Sequence, residues 1–127
     1  MNKILIIGMN PHTLDFSLPG FPPGLTAEKV ENGLNSEMEN LKTLGYEPEL
    51  YLMDSGIMEL TVLEDKLKAT TFDGILIGAG IRVPPSNFML FEKLINTIHE
   101  KAPTAKIIFN TNPLDTADSI QRWITSI

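Results

Sequence analysis

The sequence predicts an α/β fold built on a four-stranded parallel sheet with strand order 2-1-3-4. Two apolar runs without polar alternation, residues 4–7 and 75–77, are typical of strands that helices cover on both faces. Predicted helices alternate with the predicted strands along the chain, and this alternation favours a parallel sheet with right-handed crossovers. We therefore expect a doubly wound, flavodoxin-like three-layer sandwich that forms one domain over residues 1–127.

The first predicted strand, residues 3–8, is followed by a long irregular segment over residues 9–25. Prolines and glycines recur in this segment and prevent regular structure. Loops longer than about 12–15 residues in compact domains are usually lids, binding loops or disordered segments. Because Phe16, Leu18 and Phe21 supply apolar surface, we expect this loop to dock on the domain.

The next elements are a long amphipathic helix, an edge strand and a shorter helix. Thr26 is a suitable N-cap for the long helix, and Gly45 is placed to end it in the left-handed conformation. The second strand is predicted over residues 50–53, where the alternation is typical of a sheet edge. The shorter helix should then run from Ile57 to about Thr70.

The third strand ends in a turn of small residues, 78–80, which places Arg82 in a loop. Ser86 should cap the next helix, which continues to about Lys101. The first turn of that helix is apolar all round, at residues 88–90. Consecutive residues are about 100° apart on a helix, so these three cannot all face one core. At least one of them should be exposed in the monomer. We expect the long loop or a second copy of the chain to cover that residue.

The fourth strand is predicted over residues 105–109, and Asp115 should cap the last helix. Crossover handedness puts the first helix on one face of the sheet and the next two on the other. One helix cannot cover one face of four strands, so the last helix should return beside the first with Ile120 and Ile124 against the sheet. The apolar residues of that helix are Ala117, Ile120, Trp123, Ile124 and Ile127.

The composition excludes several classes of partner. The chain has 16 acidic and 10 basic residues, and its net charge of −6 opposes binding to nucleic acids or to anionic lipid. It has no cysteine, which excludes disulfides and thiolate nucleophiles. His12 and His99 lie far apart in sequence, so no metal centre is expected.

The first apolar run stops at Gly8 and is too short for the core of a signal peptide. No later run approaches the roughly 20 apolar residues that cross a bilayer. We therefore expect a cytoplasmic protein.

Many polar residues follow the predicted strands, at the edge of the sheet where doubly wound folds bind ligands. Arg82 could pair with a carboxylate or phosphate, and the amides after the third strand could line its approach. The long loop could close over this crevice and exclude water. His12 is the one candidate for proton transfer, and it is a weak one. The candidate site residues are Asn10, His12, Gly78, Gly80, Arg82, Asn110 and Thr111.

The same residue types also have structural roles at the ends of strands. Asn, Asp and Ser satisfy backbone groups in turns and caps, which is the preferred interpretation of Asp54, Ser55, Asn112 and Asp115. For His12 the alternative is a solvated loop residue. His99 is expected on the surface.

Known cofactor and catalytic motifs are incomplete here. The glycines at 78 and 80 lack the third glycine and the distant acidic residue of a dinucleotide fingerprint, and no Walker loop occurs. The topology resembles response-regulator receivers, but Asn10 and Ala79 stand near the positions where receivers need acidic residues. A nucleophile elbow is also absent. We expect no cofactor.

Four segments resemble a family of short uncharacterised bacterial α/β proteins. They are residues 77–82, 90–96, 109–117 and 121–123, and the likeness extends to residues 23–30. The resemblance implies a compact bacterial domain, and the family has no established activity.

Two functions remain open from the sequence. The first is the binding of a small anionic ligand in a crevice at the carboxyl ends of the first, third and fourth strands. The alternative is a non-catalytic interaction module with a degenerate receiver-like fold, which could form a homodimer. Its support is the apolar turn at residues 88–90, the late Trp123 and the missing fifth strand, which leaves the fourth strand as an open edge.

Overall fold

The computed structural model describes residues 1–125 and confirms the predicted fold class. Over these residues the chain forms one parallel sheet of four strands in the order β2-β1-β3-β4. The strands are β1 (Lys3–Met9), β2 (Glu47–Met53), β3 (Gly74–Ile77) and β4 (Lys106–Phe109). The register pairs Ile7 of β1 with Ile77 of β3, and Ile77 with Phe109 of β4. The carboxyl ends of these three strands therefore meet at one edge of the sheet.

The helices lie on both faces of the sheet. They are α1 (Ala27–Thr43), α2 (Thr61–Ala69), α3 (Ala79–Arg82), α4 (Phe88–Lys101) and α5 (Thr116–Trp123). Single turns of 3₁₀ helix occur at Pro11–Thr13, Pro85–Asn87 and Pro113–Asp115.

Alternate side chains of the buried strands enter two separate cores. Leu5 and Ile75 face the core under α2 and α4, whereas Ile4 and Leu76 face the core under α1 and α5. This division follows from the pleat, which directs successive side chains to opposite faces. Ile120 of α5 and Ile124, directly after it, join the second core, so the prediction that the last helix returns beside the first is confirmed.

Gly74 at the start of β3 lets α5 approach the sheet closely. A Cβ atom at this position would lie 2.4 Å from Cδ1 of Ile124 and 3.2 Å from Cδ1 of Ile108. Both distances are below those of ordinary carbon contacts, so the Ile124 side chain occupies the space that any larger residue at position 74 needs.

The ends of α1 are as the sequence predicts. The hydroxyl of Thr26 accepts a hydrogen bond from the Lys29 N–H at 3.2 Å, which satisfies one free donor of the first turn. Gly45 has φ of 95°, and the Tyr46 N–H donates to the Leu41 carbonyl at 3.0 Å. This left-handed glycine turns the chain directly into β2, which begins at Glu47, three residues earlier than predicted.

Two helix boundaries differ from the prediction. The predicted start of α2 at Ile57 is wrong, because the helix begins at Thr61. Gly56, with φ of 88°, turns the chain before it, and the carboxylate of Glu59 accepts hydrogen bonds from the Thr61 N–H and hydroxyl. Arg82, predicted in a loop, instead ends the short helix α3.

The start of α4 also differs from the prediction. A 3₁₀ turn at Pro85–Asn87 precedes the helix, and Ser86 is not its cap. In the first turn of α4, Leu90 is buried while Phe88 and Met89 are exposed, which confirms that the three apolar residues cannot share one core.

The last helix begins after a 3₁₀ turn, at Thr116. Asp115 occupies the N-cap position, but its side chain makes no capping hydrogen bond to α5. Ile127, which was assigned to this helix from the sequence, lies outside the described residues. Within the described residues, no helix has the length and hydropathy needed to cross a membrane.

Candidate functional site

Asn110 connects the elements that form the carboxyl edge of the sheet. This residue follows β4 directly and is 3% exposed. Its Oδ1 atom accepts a hydrogen bond from the Ala79 N–H at 2.9 Å, and its Nδ2 atom donates to the Thr116 hydroxyl at 3.0 Å. Asn110 therefore fixes the first turn of α3 to the start of α5, and its amide is used for structure.

The long loop, predicted over residues 9–25, spans residues 10–26 between β1 and α1 and lies against this edge. Gly20 has φ of 102°, which side chains rarely adopt, and an added Cβ atom would lie 2.2 Å from Cγ1 of Val83. Phe16 and Phe21 contact each other edge to face, with ring centroids 5.2 Å apart. The close approach at Gly20 thus seats the aromatic part of the loop over the residues that follow α3.

A cavity of about 120 Å³ lies beneath the loop, and we call it the loop cavity. Its roof includes Phe16 and Phe21, and its floor includes Ala79, Gly80 and Val83. The other lining residues are Leu14, Gly20, Pro22, Leu25, Val30, Thr111, Asn112 and Pro113. None of these carries a charge, so the wall of the cavity is mainly apolar.

A smaller space of about 40 Å³ adjoins the loop cavity at the switch point between β1 and β3. Gly78 and Asn110 line it, and it shares Leu14 and Gly80 with the loop cavity. An added Cβ atom at Gly80 would lie 3.5 Å from Cδ1 of Leu14, an ordinary contact distance. Gly80 is therefore the position where a small side chain could enter the cavity without displacing the backbone.

Arg82 points toward β4. Its Nη2 atom donates a hydrogen bond to the Asn110 carbonyl, and its guanidinium carbon lies 5.6 Å from the centroid of the Phe109 ring. Its Nε atom is buried without a hydrogen-bond partner. The side chain forms no ion pair with Asp15 or Glu92, and it lines neither cavity.

Asn10 and His12 lie at the start of the loop and outside both cavities. The Asn10 side chain accepts a hydrogen bond from the His12 N–H at 3.1 Å and donates one to Asp54 at 3.0 Å. The Nε2 atom of His12 lies 2.8 Å from the carboxylate of Glu31, and both side chains are about half exposed. These contacts hold the loop to the end of β2 and to α1.

Thr111 borders the loop cavity, but its hydroxyl donates to the Asp115 carboxylate at 2.5 Å. That carboxylate also accepts from the Thr111 and Asn112 N–H groups, at 3.0 and 3.2 Å. Partial burial acts to raise the pKa of Asp115, but these hydrogen bonds and the charge of Arg122 outweigh it and lower the pKa from its usual value. The structural interpretation of Asn112 and Asp115 therefore agrees with their contacts.

The structure thus gathers Gly78, Gly80, Asn110 and Thr111 around the cavities and leaves Asn10, His12 and Arg82 outside them. The sequence reasoning missed Leu14, Val83 and Pro113 as lining residues. Apolar residues in a loop give no periodic pattern in the sequence. The length of the loop was therefore the one sequence feature that indicated a cavity there.

A larger open groove of about 440 Å³ lies at the opposite edge of the sheet, near Lys3, Tyr46 and Phe72. We place the candidate site at the loop cavity, because ligands of doubly wound sheets bind at the carboxyl ends of the strands. In residues 1–125 there is no group of three or more His, Asp or Glu side chains that could hold a metal ion.

No protein-family model matches the chain, and no curated protein matches it either. The resemblance to short bacterial α/β proteins therefore stays a prediction.

Proposed function

We propose that this protein binds a small, mainly apolar molecule in the loop cavity. The observation that carries the proposal is the cavity of about 120 Å³ between the long loop and the carboxyl edge of the sheet. Doubly wound folds bind ligands at this place, and the seated loop supplies a wall that excludes water. A buried apolar cavity of about 150 Å³ is known to accept a single benzene molecule, so one small ring is a reasonable size for the ligand.

The wall of the cavity supports an uncharged ligand over an anionic one. Phe16, Phe21 and Leu14 supply apolar surface, and the polar groups of Thr111 and Asn112 are used in hydrogen bonds with their neighbours. The anionic ligand expected from the sequence depends on Arg82, whose guanidinium faces Phe109 and the Asn110 carbonyl. Moving a charged group from water into an apolar cavity costs free energy unless an opposite charge pairs with it.

Binding can be tested with benzene as the probe and ¹H–¹⁵N correlation spectra as the measurement. We expect saturable shifts of the amide signals of Leu14, Gly80 and Val83, which line the cavity. The Gly80→Ala substitution adds a methyl group where the loop cavity meets the smaller space, at an ordinary contact distance from Leu14, which lines both. It should weaken benzene binding about tenfold, since one methyl group in an apolar pocket changes affinity by that order.

The midpoint temperature of thermal unfolding is the control for the folding of Gly80→Ala. This temperature should equal or exceed that of the natural protein, because Gly80 is helical and alanine is favoured over glycine in a helix. Shifts that are absent, or that do not change in Gly80→Ala, contradict the proposal. A parallel titration with acetate tests the anionic alternative. If acetate shifts the same amides and Arg82→Ala abolishes that effect, the ligand is an anion and the apolar assignment is wrong.

A further inference from the structure

The outer edge of β4 has backbone groups that no other strand uses. The Lys106 N–H donates to the Asp73 carbonyl at 3.0 Å, so Lys106 and Ile108 direct their backbone groups toward β3. Ile107 and Phe109 therefore direct theirs outward. The Phe109 carbonyl accepts a hydrogen bond from Arg122 at 3.0 Å, whereas the outward groups of Ile107 have no partner in the described part of the chain.

The two edges of the sheet differ in how they are protected. β2 carries Glu47, Pro48 and Glu49, and charged residues and proline are the usual means of blocking an exposed edge. β4 contains neither proline nor an acidic residue, and its only charge is Lys106 at its amino end. The edge of β4 is therefore open to pairing with another extended segment.

Exposed aromatic side chains lie on β4 and on the two helices that flank it, α4 and α5. Phe109 is 37% exposed and lies against Phe91, with ring centroids 5.8 Å apart. Phe88, one turn earlier on α4, is 64% exposed, and Trp123 beside Arg122 on α5 is 56% exposed. Exposed aromatic residues next to arginines are the composition that dominates binding energy at protein interfaces.

The edge is basic although the whole chain has a net charge of −6. Lys106, Arg122 and Arg82 lie along it, and neither arginine forms an ion pair within residues 1–125. The Nε atom of Arg82 is buried without a partner, and Arg122 bonds only to a neutral carbonyl. Arg122 therefore keeps donors for a carboxylate, whereas the buried Nε atom of Arg82 is out of reach of a docked peptide.

From these observations we propose that an extended acidic peptide of another protein pairs with the outer edge of β4 as a fifth strand. The peptide backbone bonds to Ile107 and Phe109, as in other cases of strand addition. Because successive side chains of a strand point to opposite faces, its carboxylates face α5 and pair with Arg122, and its apolar side chains face α4 and contact Phe88 and Phe109. A second copy of the chain fits this edge less well, because a symmetric contact between two β4 edges brings two basic surfaces together.

The test uses a synthetic octapeptide of alternating valine and glutamate residues. The chain has a single tryptophan, so its tryptophan fluorescence comes from Trp123 on α5, the helix that contacts β4. We expect a saturable change in that fluorescence and slower hydrogen exchange of the Ile107 and Phe109 amides. The corresponding valine and lysine peptide should produce neither effect.

Arg122→Glu should weaken binding of the acidic peptide at least about tenfold, because a favourable charge pair becomes a repulsive one. Lys68→Glu makes the same charge change on the exposed surface of α2 and should leave binding unchanged. Equal binding of the acidic and basic peptides, or no saturable change, overturns the proposal. The proposal is also overturned if the protein alone has the solution mass of a dimer and its Ile107 and Phe109 amides are protected from hydrogen exchange. A second copy of the chain would then occupy the edge.

Discussion

The side-chain amide of Asn110 accepts a hydrogen bond from the backbone N–H of Ala79, 31 residues earlier in the chain, at 2.9 Å. This contact joins the residue after β4 to the residue that begins α3. It explains how a helix of only four residues is held in place at the switch point of the sheet. The floor of the loop cavity, Ala79 and Gly80, depends on it.

Asn110→Ala should lower the free energy of unfolding by roughly 2–4 kcal/mol, because it leaves the Ala79 N–H and the Thr116 hydroxyl without this buried partner. Urea denaturation monitored by circular dichroism measures the change. Asn96→Ala is the matched control, since the Asn96 side chain is exposed and bonds only within α4. Its effect should stay within about 0.5 kcal/mol. Equal effects of the two substitutions would mean that Asn110 does not hold α3.

Gly20→Ala should detach the part of the long loop around Phe16 and Phe21 from the residues that follow α3. The new methyl group meets Cγ1 of Val83 at 2.2 Å, and the backbone has φ of 102°. We expect faster proteolytic cleavage within residues 10–26 and loss of benzene binding.

Gly24→Ala provides the matched control in the same loop. Gly24 also has a positive φ, of 80°, but an added Cβ atom there meets nothing within 4 Å. Gly24→Ala therefore introduces the same backbone strain, roughly 1–2 kcal/mol, without a clash like that between position 20 and Val83. If both variants are cleaved at the same rate, the contact with Val83 does not seat the loop.

Gly74→Ala should destabilise the protein by roughly 1–3 kcal/mol, because the added methyl group overpacks the core against Cδ1 of Ile124. Ile124→Val removes that atom, so the double variant should recover part of the loss. A double-mutant cycle from urea denaturation measures this coupling. Strict additivity of the two substitutions would show that α5 does not depend on the missing side chain at Gly74.

The stability contributed by Asp115 should depend on pH. Its folded-state pKa is lowered, so the contribution is present above the unfolded pKa and is lost as the pH falls through the folded value. The difference in unfolding free energy between the natural protein and Asp115→Asn should therefore be largest near neutral pH and shrink below about pH 4. Denaturation curves recorded from pH 7 downward test this. Asp118→Asn, at an exposed position on α5, should change the stability little at neutral pH.

The sequence by itself determined the strands, their order and the ends of α1. The apolar runs of β1 and β3 leave no face for water, so both strands must lie inside the sheet. With the strand order of a flavodoxin-like sheet, crossover handedness then sets the side on which each helix packs. Thr26 and Gly45 end α1 through contacts with residues a few positions away, and such local contacts can be read from a short segment.

The tertiary structure decided the features that depend on distant residues. The short helix α3 forms where Asn110 bonds to Ala79, and the seat of the loop is the contact between Gly20 and Val83. The direction of Arg82 likewise follows from the Asn110 carbonyl and the Phe109 ring, which β4 brings to the same edge. Because each contact joins residues that are far apart in sequence, no local pattern specifies it, and only the packed sheet determines which polar groups remain free for a ligand.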